Sequence, residues 1–340
     1  MLLDIAAIIA GFALLVWGAE RFVTGASVIA GNLGISPMVI GLTIVGLGTS
    51  APEILVSAMA AAQGNPGLAI GNAVGSNIAN IGLILGITAV IVPLNVNSNT
   101  LRREYPILLA VSLTTLILML DGHLGQLDGM ILLAGLVAIL YTLAHIALRD
   151  RYGDPLKKEF EDEMPEEMST GKAMLYFTAG LALLLVSSKI LVWGAVNLAV
   201  AFGISDLVIG LTIVALGTSL PELAASVVSA LKGEHDIAIG NVIGSNIYNL
   251  LAVLSVPSLI APGFFDPMAL TRDMPVMIIL TLVMFIMAYG FRGPGRINRL
   301  EGALLLLLFI GYQSALFLGD SETATDQTTT HLHTEHEQHS

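Results

Sequence analysis

Long apolar runs, separated by short polar stretches, make up most of this sequence. A run of about 20 apolar residues is long enough to cross a bilayer as a helix, and the chain offers ten such runs. They lie near residues 3–30, 38–62, 68–93, 105–121, 127–147, 173–200, 207–231, 237–260, 273–290 and 302–318. The pattern therefore predicts an all-α membrane protein with ten transmembrane helices.

The apolar pattern is interrupted twice by nearly the same polar stretch. Gly41-Leu-Thr-Ile-Val-Gly-Leu-Gly-Thr-Ser-Ala-Pro-Glu53 recurs 169 residues later as Gly210-Leu-Thr-Ile-Val-Ala-Leu-Gly-Thr-Ser-Leu-Pro-Glu222. Aligned without a gap, residues 25–80 and 194–249 are identical at 31 of 56 positions. A buried carboxylate is expensive in hydrocarbon, so a glutamate that recurs in membrane-length sequence indicates a function.

The repeat divides the chain into two halves of five spans each. We expect a first five-helix repeat over 1–147, an acidic linker over 148–172, a second repeat over 173–318 and a disordered polar tail over 319–340. Because five is odd, the second half enters the membrane in the opposite sense. The sequence thus predicts an inverted repeat, in which transporters place their site near the midplane where the repeats meet.

Composition agrees with a membrane protein and excludes some chemistry. Hydrophobic residues make up 55% of the chain and charged residues 12%, with a mean hydropathy of +0.83. A soluble chain with this balance could not cover its surface. There is no cysteine, which excludes disulfides, thiolate metal sites and thiol catalysis.

Basic residues predict the orientation, since they concentrate in cytoplasmic loops. With the N-terminus outside, eleven Lys and Arg fall in inner loops, one falls in an outer loop, and the remaining two lie within or near the ends of spans. We therefore predict an inner (plasma) membrane protein with both termini outside and a cytoplasmic linker.

The repeated motifs place oxygen-bearing side chains at helical spacing. Residues three and four apart share a helix face, which groups the hydroxyls and the acid of each first motif: Thr49, Ser50, Glu53 and Ser57, then Thr218, Ser219, Glu222 and Ser226. The next span of each repeat adds polar residues four apart: Asn72, Ser76 and Asn80, then Asn241, Ser245 and Asn249. Oxygen-only sites suit hard cations such as Na⁺ and Ca²⁺.

Pro52 and Pro221 stand directly before the two glutamates. A proline inside a helix removes a backbone hydrogen bond one turn back, so freed carbonyls near Gly46, Thr49, Ala215 and Thr218 are expected to complete the coordination. Two glutamates balance the charge of one Ca²⁺ and repel each other when the site is empty. This favours exchange over a passive pore, because another cation or protons must enter on the return stroke.

Some residues have a plainer explanation. Asn72 and Asn241 fit interhelical hydrogen bonding as well as ion contact, and Ser57 and Ser226 fit bonding to their own helix backbone. The histidines of the tail could bind a transition metal, although a solvated low-complexity segment is the more ordinary interpretation: His331, His333, His336 and His339.

The motif Gly-Thr-Ser-Xaa-Pro-Glu followed by Gly-Asn-Xaa-Xaa-Gly-Ser-Asn, in two inverted copies, resembles the cation/Ca²⁺ exchanger superfamily. The chain is most similar to its prokaryotic Na⁺/Ca²⁺ antiporter branch. The resemblance implies a sodium/calcium exchanger-like fold, with spans 2, 3, 7 and 8 as a core and spans 1 and 6 sliding across it. It also implies ion ligands at Thr49, Ser50, Glu53, Ser76, Asn80, Thr218, Ser219, Glu222, Ser245 and Asn249, with backbone carbonyls of Gly46, Ala215, Thr49 and Thr218.

Many relatives carry an Asp where this chain has Asn249, and an acid there accompanies K⁺ dependence, so we expect no K⁺ co-transport.

The expected function is secondary antiport of Na⁺ against Ca²⁺ by alternating access, with no cofactor, no enzymatic activity and no nucleic-acid partner. The lipid bilayer is expected to surround the protein, and a monomer is expected to suffice for transport. The alternative is Ca²⁺/H⁺ antiport through the same site. An intramembrane hydrolase is a remote alternative, because acid-base chemistry needs two different environments and the two repeats offer nearly identical ones.

Overall fold

The computed structural model describes residues 1–35, 37–64, 66–96, 98–150, 168–202, 215–289 and 295–316. Ten helical units follow one another in these ranges. They are α1 Leu2–Leu33, α2 Gly41–Thr49 with Ala51–Ala62, α3 Pro66–Ile91, α4 Ser98–Met119, α5 Gln126–Asp150, α6 Thr170–Ala201, α7 Ala215–Thr218 with Leu220–Leu231, α8 His235–Ile260, α9 Ala269–Ala288 and α10 Arg299–Leu316. A short helical turn, Pro37–Ile40, leads into α2. Most of the linker and the whole of the predicted tail lie outside the described residues.

As far as the described ranges extend, each predicted span coincides with one of these helices; the seventh span, predicted over 207–231, is described only from residue 215. Seven are long and apolar enough to cross a membrane alone, and the bent pair that forms α2 makes an eighth. The apolar part of α4 is shorter, Glu104–Met119, as is the described second part of α7. Helix α4 begins at Ser98, before its predicted run. Its first turns are mostly polar, so a prediction from apolar runs alone leaves them out.

The two halves repeat each other in structure as they do in sequence. Both α2 and α7 break at the same motif position, Ser50 (φ −80°, ψ 4°) and Ser219 (φ −88°, ψ 3°). Both α3 and α8 contain a π-helical stretch that begins at matched residues, Asn80 and Asn249. Such π-helical stretches occur frequently at functional sites, and the sequence pattern gave no sign of them.

The interior of the protein is built around α8 and α3. The apolar window of α8 is 100% buried and that of α3 is 72% buried, whereas α1 and α6 are mostly exposed, at 22% and 28% buried. Helices α1 and α6 pack against each other along their length. Glycines allow this approach: a Cβ added to Gly25 would overlap the backbone of Phe177. The long pair α1 and α6 thus lies outside the core formed by α2, α3, α7 and α8.

Two short antiparallel pairings connect the loops between spans. Strand β1 (Leu94–Val96) pairs with β4 (Gly295–Ile297), and β2 (His123–Leu124) pairs with β3 (Gly263–Phe264). The first pairing joins the α3–α4 loop to the α9–α10 loop, and the second joins the α4–α5 loop to the α8–α9 loop. Paired loops must share a side of the membrane, as they do in the predicted topology.

Candidate ion-binding site

The two repeated glutamates are buried at equivalent places, just after the breaks in α2 and α7. Glu53 is 1% exposed and Glu222 is 2% exposed. In both helices a proline occupies the first turn after the break, where its missing N–H costs no helical hydrogen bond. The partial positive charge at a helix N-terminus favours a carboxylate in its first turn, so each break prepares a place for the acid that follows.

Each carboxylate contacts hydroxyl groups of the opposite repeat. Ser50 Oγ donates to Glu222 Oε1 at 3.3 Å, and the Thr49 hydroxyl lies beside the same carboxylate. Reciprocally, the Thr218 hydroxyl lies beside the Glu53 carboxylate. The two motifs therefore form one composite cluster in which the two acids lie on opposite sides of the pseudo-twofold axis.

Several oxygens of this cluster have no hydrogen-bond partner among the described residues. Burying a polar atom without a partner costs free energy, typically about 1–3 kcal/mol, so a concentration of such atoms points to a ligand. The unpartnered oxygens are Glu53 Oε2, Glu222 Oε2, Asn80 Oδ1, Asn249 Oδ1 and Ser245 Oγ. All are hard donors, and Ca²⁺ takes six to eight such ligands.

The remaining predicted side chains lie in the same buried region. Thr49 and Ser50 are fully buried, Ser219 is nearly so, and Ser76, 7% exposed, is the least enclosed of the serines. Thr218 is half-buried. The motifs thus bring the predicted polar residues onto four helices, α2, α3, α7 and α8.

The predicted backbone ligands differ from the expectation in one respect. The Gly46 carbonyl is not freed by Pro52, because it accepts the Ser50 N–H at 3.0 Å and lies 3.3 Å from Thr49 Oγ1. The physical reason is that α2 remains helical up to Thr49 and bends sharply there, by 48°, instead of unwinding. Both donors use this carbonyl oxygen, so a cation bound to it would replace the longer contact with Thr49. Ala215 begins the described part of α7, and residues 203–214 before it lie outside the described residues.

Asn72 and Asn241 form interhelical hydrogen bonds at matched positions. Asn72 Nδ2 donates to the Glu53 carbonyl at 3.1 Å, and Asn241 Nδ2 donates to the Glu222 carbonyl at 3.1 Å. The same amide groups donate to Ser57 Oγ and Ser226 Oγ, at 3.1 and 2.9 Å. Both serines therefore serve contacts between helices, and these amides hold the backbone of each glutamate in place.

Sequence reasoning missed two buried asparagines, Asn77 and Asn246. Both are 1% exposed, and they link the repeats because Asn77 Nδ2 donates to the Asn246 carbonyl at 3.2 Å. Their signal was present, since each is the third residue of a Gly-Ser-Asn triplet that recurs in both copies. The four-residue spacing along each span predicts Asn80 and Asn249 instead.

Comparison with known proteins gives matches along nearly the whole chain. A family model described as sodium/calcium exchanger protein matches residues 3–144 and 172–318. The putative antiporter CaxA of Alkalimonas amylolytica is 51% identical over 310 residues, covering 91% of this chain and 97% of CaxA. The inner membrane protein YrbG of Escherichia coli (strain K12) is 41% identical over 321 residues, covering 93% and 98%.

A solved structure agrees with the fold. The sodium-calcium exchanger NCX_Mj, soaked with zero Na⁺ and Ca²⁺, superposes with a TM-score of 0.80 at 34% sequence identity. The match covers 93% of this chain and 99% of that structure. Other crystals of the same exchanger were soaked with Na⁺ together with Ca²⁺ or Sr²⁺.

Proposed function

This chain belongs to the sodium/calcium exchanger family, and from this premise we propose that it exchanges Na⁺ for Ca²⁺ across the membrane by alternating access. Membership makes it a multi-pass membrane cation exchanger with the ten-helix inverted-repeat fold, and not an enzyme. The choice of Na⁺ and Ca²⁺, the ligands and the orientation are our proposals.

One observation carries the proposal: two buried carboxylates from opposite repeats each keep an oxygen without a partner. Their two formal charges balance one Ca²⁺, which prefers oxygen ligands at 2.3–2.6 Å. Without a cation, two like charges in a buried site repel each other, and burying each unpaired charge costs several kcal/mol. We infer that Ca²⁺ binds between Glu53 and Glu222.

The remaining oxygens provide places for the smaller charge of Na⁺. Hydroxyl and amide groups bind cations without adding charge, so several Na⁺ ions can replace one Ca²⁺ only by using neutral ligands beside the two acids. We assign this role to the backbone carbonyls of Gly46 and Ala215 and to hydroxyl and amide side chains of both repeats. These side chains are Thr49, Ser50, Ser76, Asn80, Thr218, Ser219, Ser245 and Asn249. Either one Ca²⁺ or several Na⁺ ions can balance the two negative charges of the glutamates. Because both ions use the same charges, their binding is coupled.

Neutral residues also favour Na⁺ over H⁺ as the coupling ion. Asparagine and serine side chains do not titrate near neutral pH, so only the two glutamates of this cluster offer places for protons. An acid at position 249 would add a third carboxylate, and Asn249 provides none. We therefore propose exchange without K⁺ and without a dedicated proton carrier.

The exposed pair α1 and α6 supplies the moving part in this proposal. The two helices pack mainly on each other, with glycines such as Gly18 and Gly180 at their mutual contact, so in this proposal they move across the core as a pair. The eleven-to-one distribution of basic residues supports an orientation with both termini outside. We propose the inner membrane as the location, the place that YrbG has by name.

Flux measurements test the exchanged ions directly. Purified protein is reconstituted into vesicles, and uptake of radiolabelled Ca²⁺ is followed with an outward Na⁺ gradient while the pH is clamped on both sides. We expect uptake that depends on the Na⁺ gradient and does not require K⁺. Uptake driven by a pH gradient alone, with no effect of Na⁺, would show Ca²⁺/H⁺ antiport instead.

A further inference from the structure

Four asparagines occupy the centre of the protein, two from each repeat. Asn77 and Asn80 come from α3, and Asn246 and Asn249 are their counterparts on α8. Their exposed fractions are 1%, 2%, 1% and 1%, in that order. Buried amide groups need hydrogen-bond partners or ligands, so the partners of each group show what it does.

Asn246 accepts hydrogen bonds from both asparagines of the opposite repeat. Asn80 Nδ2 donates to Asn246 Oδ1 at 3.1 Å, and Asn77 Nδ2 donates to the Asn246 backbone carbonyl at 3.2 Å. Asn77 Nδ2 also lies 3.4 Å from Met277 Sδ. The side chain of Asn246 therefore contacts Asn80, while only its backbone contacts Asn77.

The bond to Asn246 fixes the direction of the Asn80 side-chain oxygen. An amide group is planar, so holding Nδ2 on one side turns Oδ1 to the other side. Asn80 Oδ1 is buried and has no hydrogen-bond partner among the described residues. We propose that Asn246 is a positioning residue, which holds Asn80 with its oxygen directed at the bound cation. This inference rests on the proposed ion site.

The two repeats differ at this point although their sequences match. The mirror-image bond would join Asn249 to Asn77, but within the described part of the chain Asn77 Oδ1 and Asn249 Oδ1 both lack a partner. The amide ligand of the first repeat is thus held by an asparagine of the opposite repeat, and the matching bond from Asn249 to Asn77 is not formed. Pre-organised ligands lose less freedom on binding, so the bond to Asn246 increases the contribution of Asn80 to cation affinity.

Matched alanine variants in the two repeats test the proposal. Asn246→Ala removes the acceptor for Asn80 and leaves intact the carbonyl that Asn77 uses. Asn77→Ala removes an equally buried amide and leaves the Asn80–Asn246 bond intact. Affinity is measured in detergent by equilibrium binding of radiolabelled Ca²⁺ and by its displacement with Na⁺. The loss of one oriented hydrogen bond predicts a weakening of about three- to ten-fold in the Asn246→Ala variant.

A double-mutant comparison separates positioning from a general packing effect. Asn80→Ala removes the ligand itself, so adding Asn246→Ala to it is expected to change cation affinity by less than about two-fold, since coupled sites are not additive. Thermal unfolding without added cation shows how far each variant weakens the fold. A packing defect would lower affinity and stability together in both Asn246→Ala and Asn77→Ala.

The outcomes distinguish this inference from the proposed function. Equal cation affinity in wild type and Asn246→Ala, or the same loss in Asn77→Ala, would overturn the positioning role. So would independent, additive effects of Asn246→Ala and Asn80→Ala. A wild-type protein that binds Ca²⁺ but shows no Na⁺-driven flux would overturn Na⁺/Ca²⁺ exchange and leave the positioning role standing. A wild-type protein that binds no cation would overturn both.

Discussion

Neutralising either buried glutamate tests whether the two carboxylates hold one divalent cation. Glu53→Gln and Glu222→Gln keep the size of the side chain and remove one charge each. Both carboxylates are at most 2% exposed, so water screens little of their attraction for Ca²⁺. Removing one partner of a buried charge pair costs about 3–5 kcal/mol, which corresponds to a loss of about two to four powers of ten in Ca²⁺ affinity.

The assay is equilibrium binding of radiolabelled Ca²⁺ to purified protein, followed by Na⁺-driven flux in vesicles. Glu20→Gln serves as the matched control, because Glu20 is an exposed glutamate on α1 away from the motifs. We expect the control to bind and transport as wild type does. Na⁺ is expected to lose less affinity than Ca²⁺ in both variants, since the remaining carboxylate still balances one monovalent charge.

Three results would refute the reasoning. If either variant kept wild-type Ca²⁺ affinity, that glutamate would not share the cation. If one variant lost binding and the other lost less than ten-fold, the two acids would not be equivalent partners at one site. Equal losses of Ca²⁺ and Na⁺ affinity would also contradict the charge balance on which the proposed exchange depends.

Three further predictions concern stability and packing. Saturating Ca²⁺ is expected to stabilise the wild-type fold by about 2.7 kcal/mol at one hundred times its Kd, and thermal unfolding in detergent should show no such gain for Glu53→Gln at the same concentration. Asn241→Ala is expected to lower the free energy of unfolding by about 2–4 kcal/mol. The side-chain amide of Asn241 has three hydrogen bonds, and each contributes about 0.5–1.5 kcal/mol. The loss should exceed that of Asn72→Ala, with two such bonds, and the reverse order would contradict the hydrogen-bond assignment. Gly244→Ala is expected to force α2 and α8 apart, because the new Cβ would overlap the backbone of α2. It should lower the free energy of unfolding by about 1–3 kcal/mol. Gly311→Ala is the control, since a Cβ there meets open space among the described residues and should leave that free energy unchanged.

Most of the fold follows from the sequence because membrane spans obey simple rules of length and polarity. Within the described residues every predicted apolar run coincides with a helix, and the repeat of 169 residues reappears in matched breaks at Ser50 and Ser219. These breaks were predictable from Pro52 and Pro221, since proline cannot donate to the preceding turn. The polar first turns of α4 were not predictable from hydropathy, because they form a helix outside the apolar stretch.

The candidate site was predictable in its residue types and less so in its geometry. Helical spacing grouped Glu53 with Thr49 and Ser50, but spacing cannot show that Ser50 reaches Glu222 in the other repeat. That contact depends on how α2 and α7 meet, which is a tertiary property. The π-helical stretches at Asn80 and Asn249 escaped prediction for a similar reason, since no local pattern distinguishes them from an ordinary helical turn.

In the proposed exchange, near-identical repeats give both sides of the membrane one site, and unequal amide contacts distinguish the two repeats. Symmetry alone gives both sides of the membrane the same two acids, so an ion bound between Glu53 and Glu222 has equivalent surroundings from either direction. The hydrogen bond from the Asn80 side-chain amide to Asn246 breaks that equivalence without adding charge. An added charge would change which ions neutralise the site, whereas a held or unheld amide changes only how strongly a cation is bound. We therefore expect the difference between the two repeats to affect ion affinity, and the shared acids to set the charge that must be exchanged.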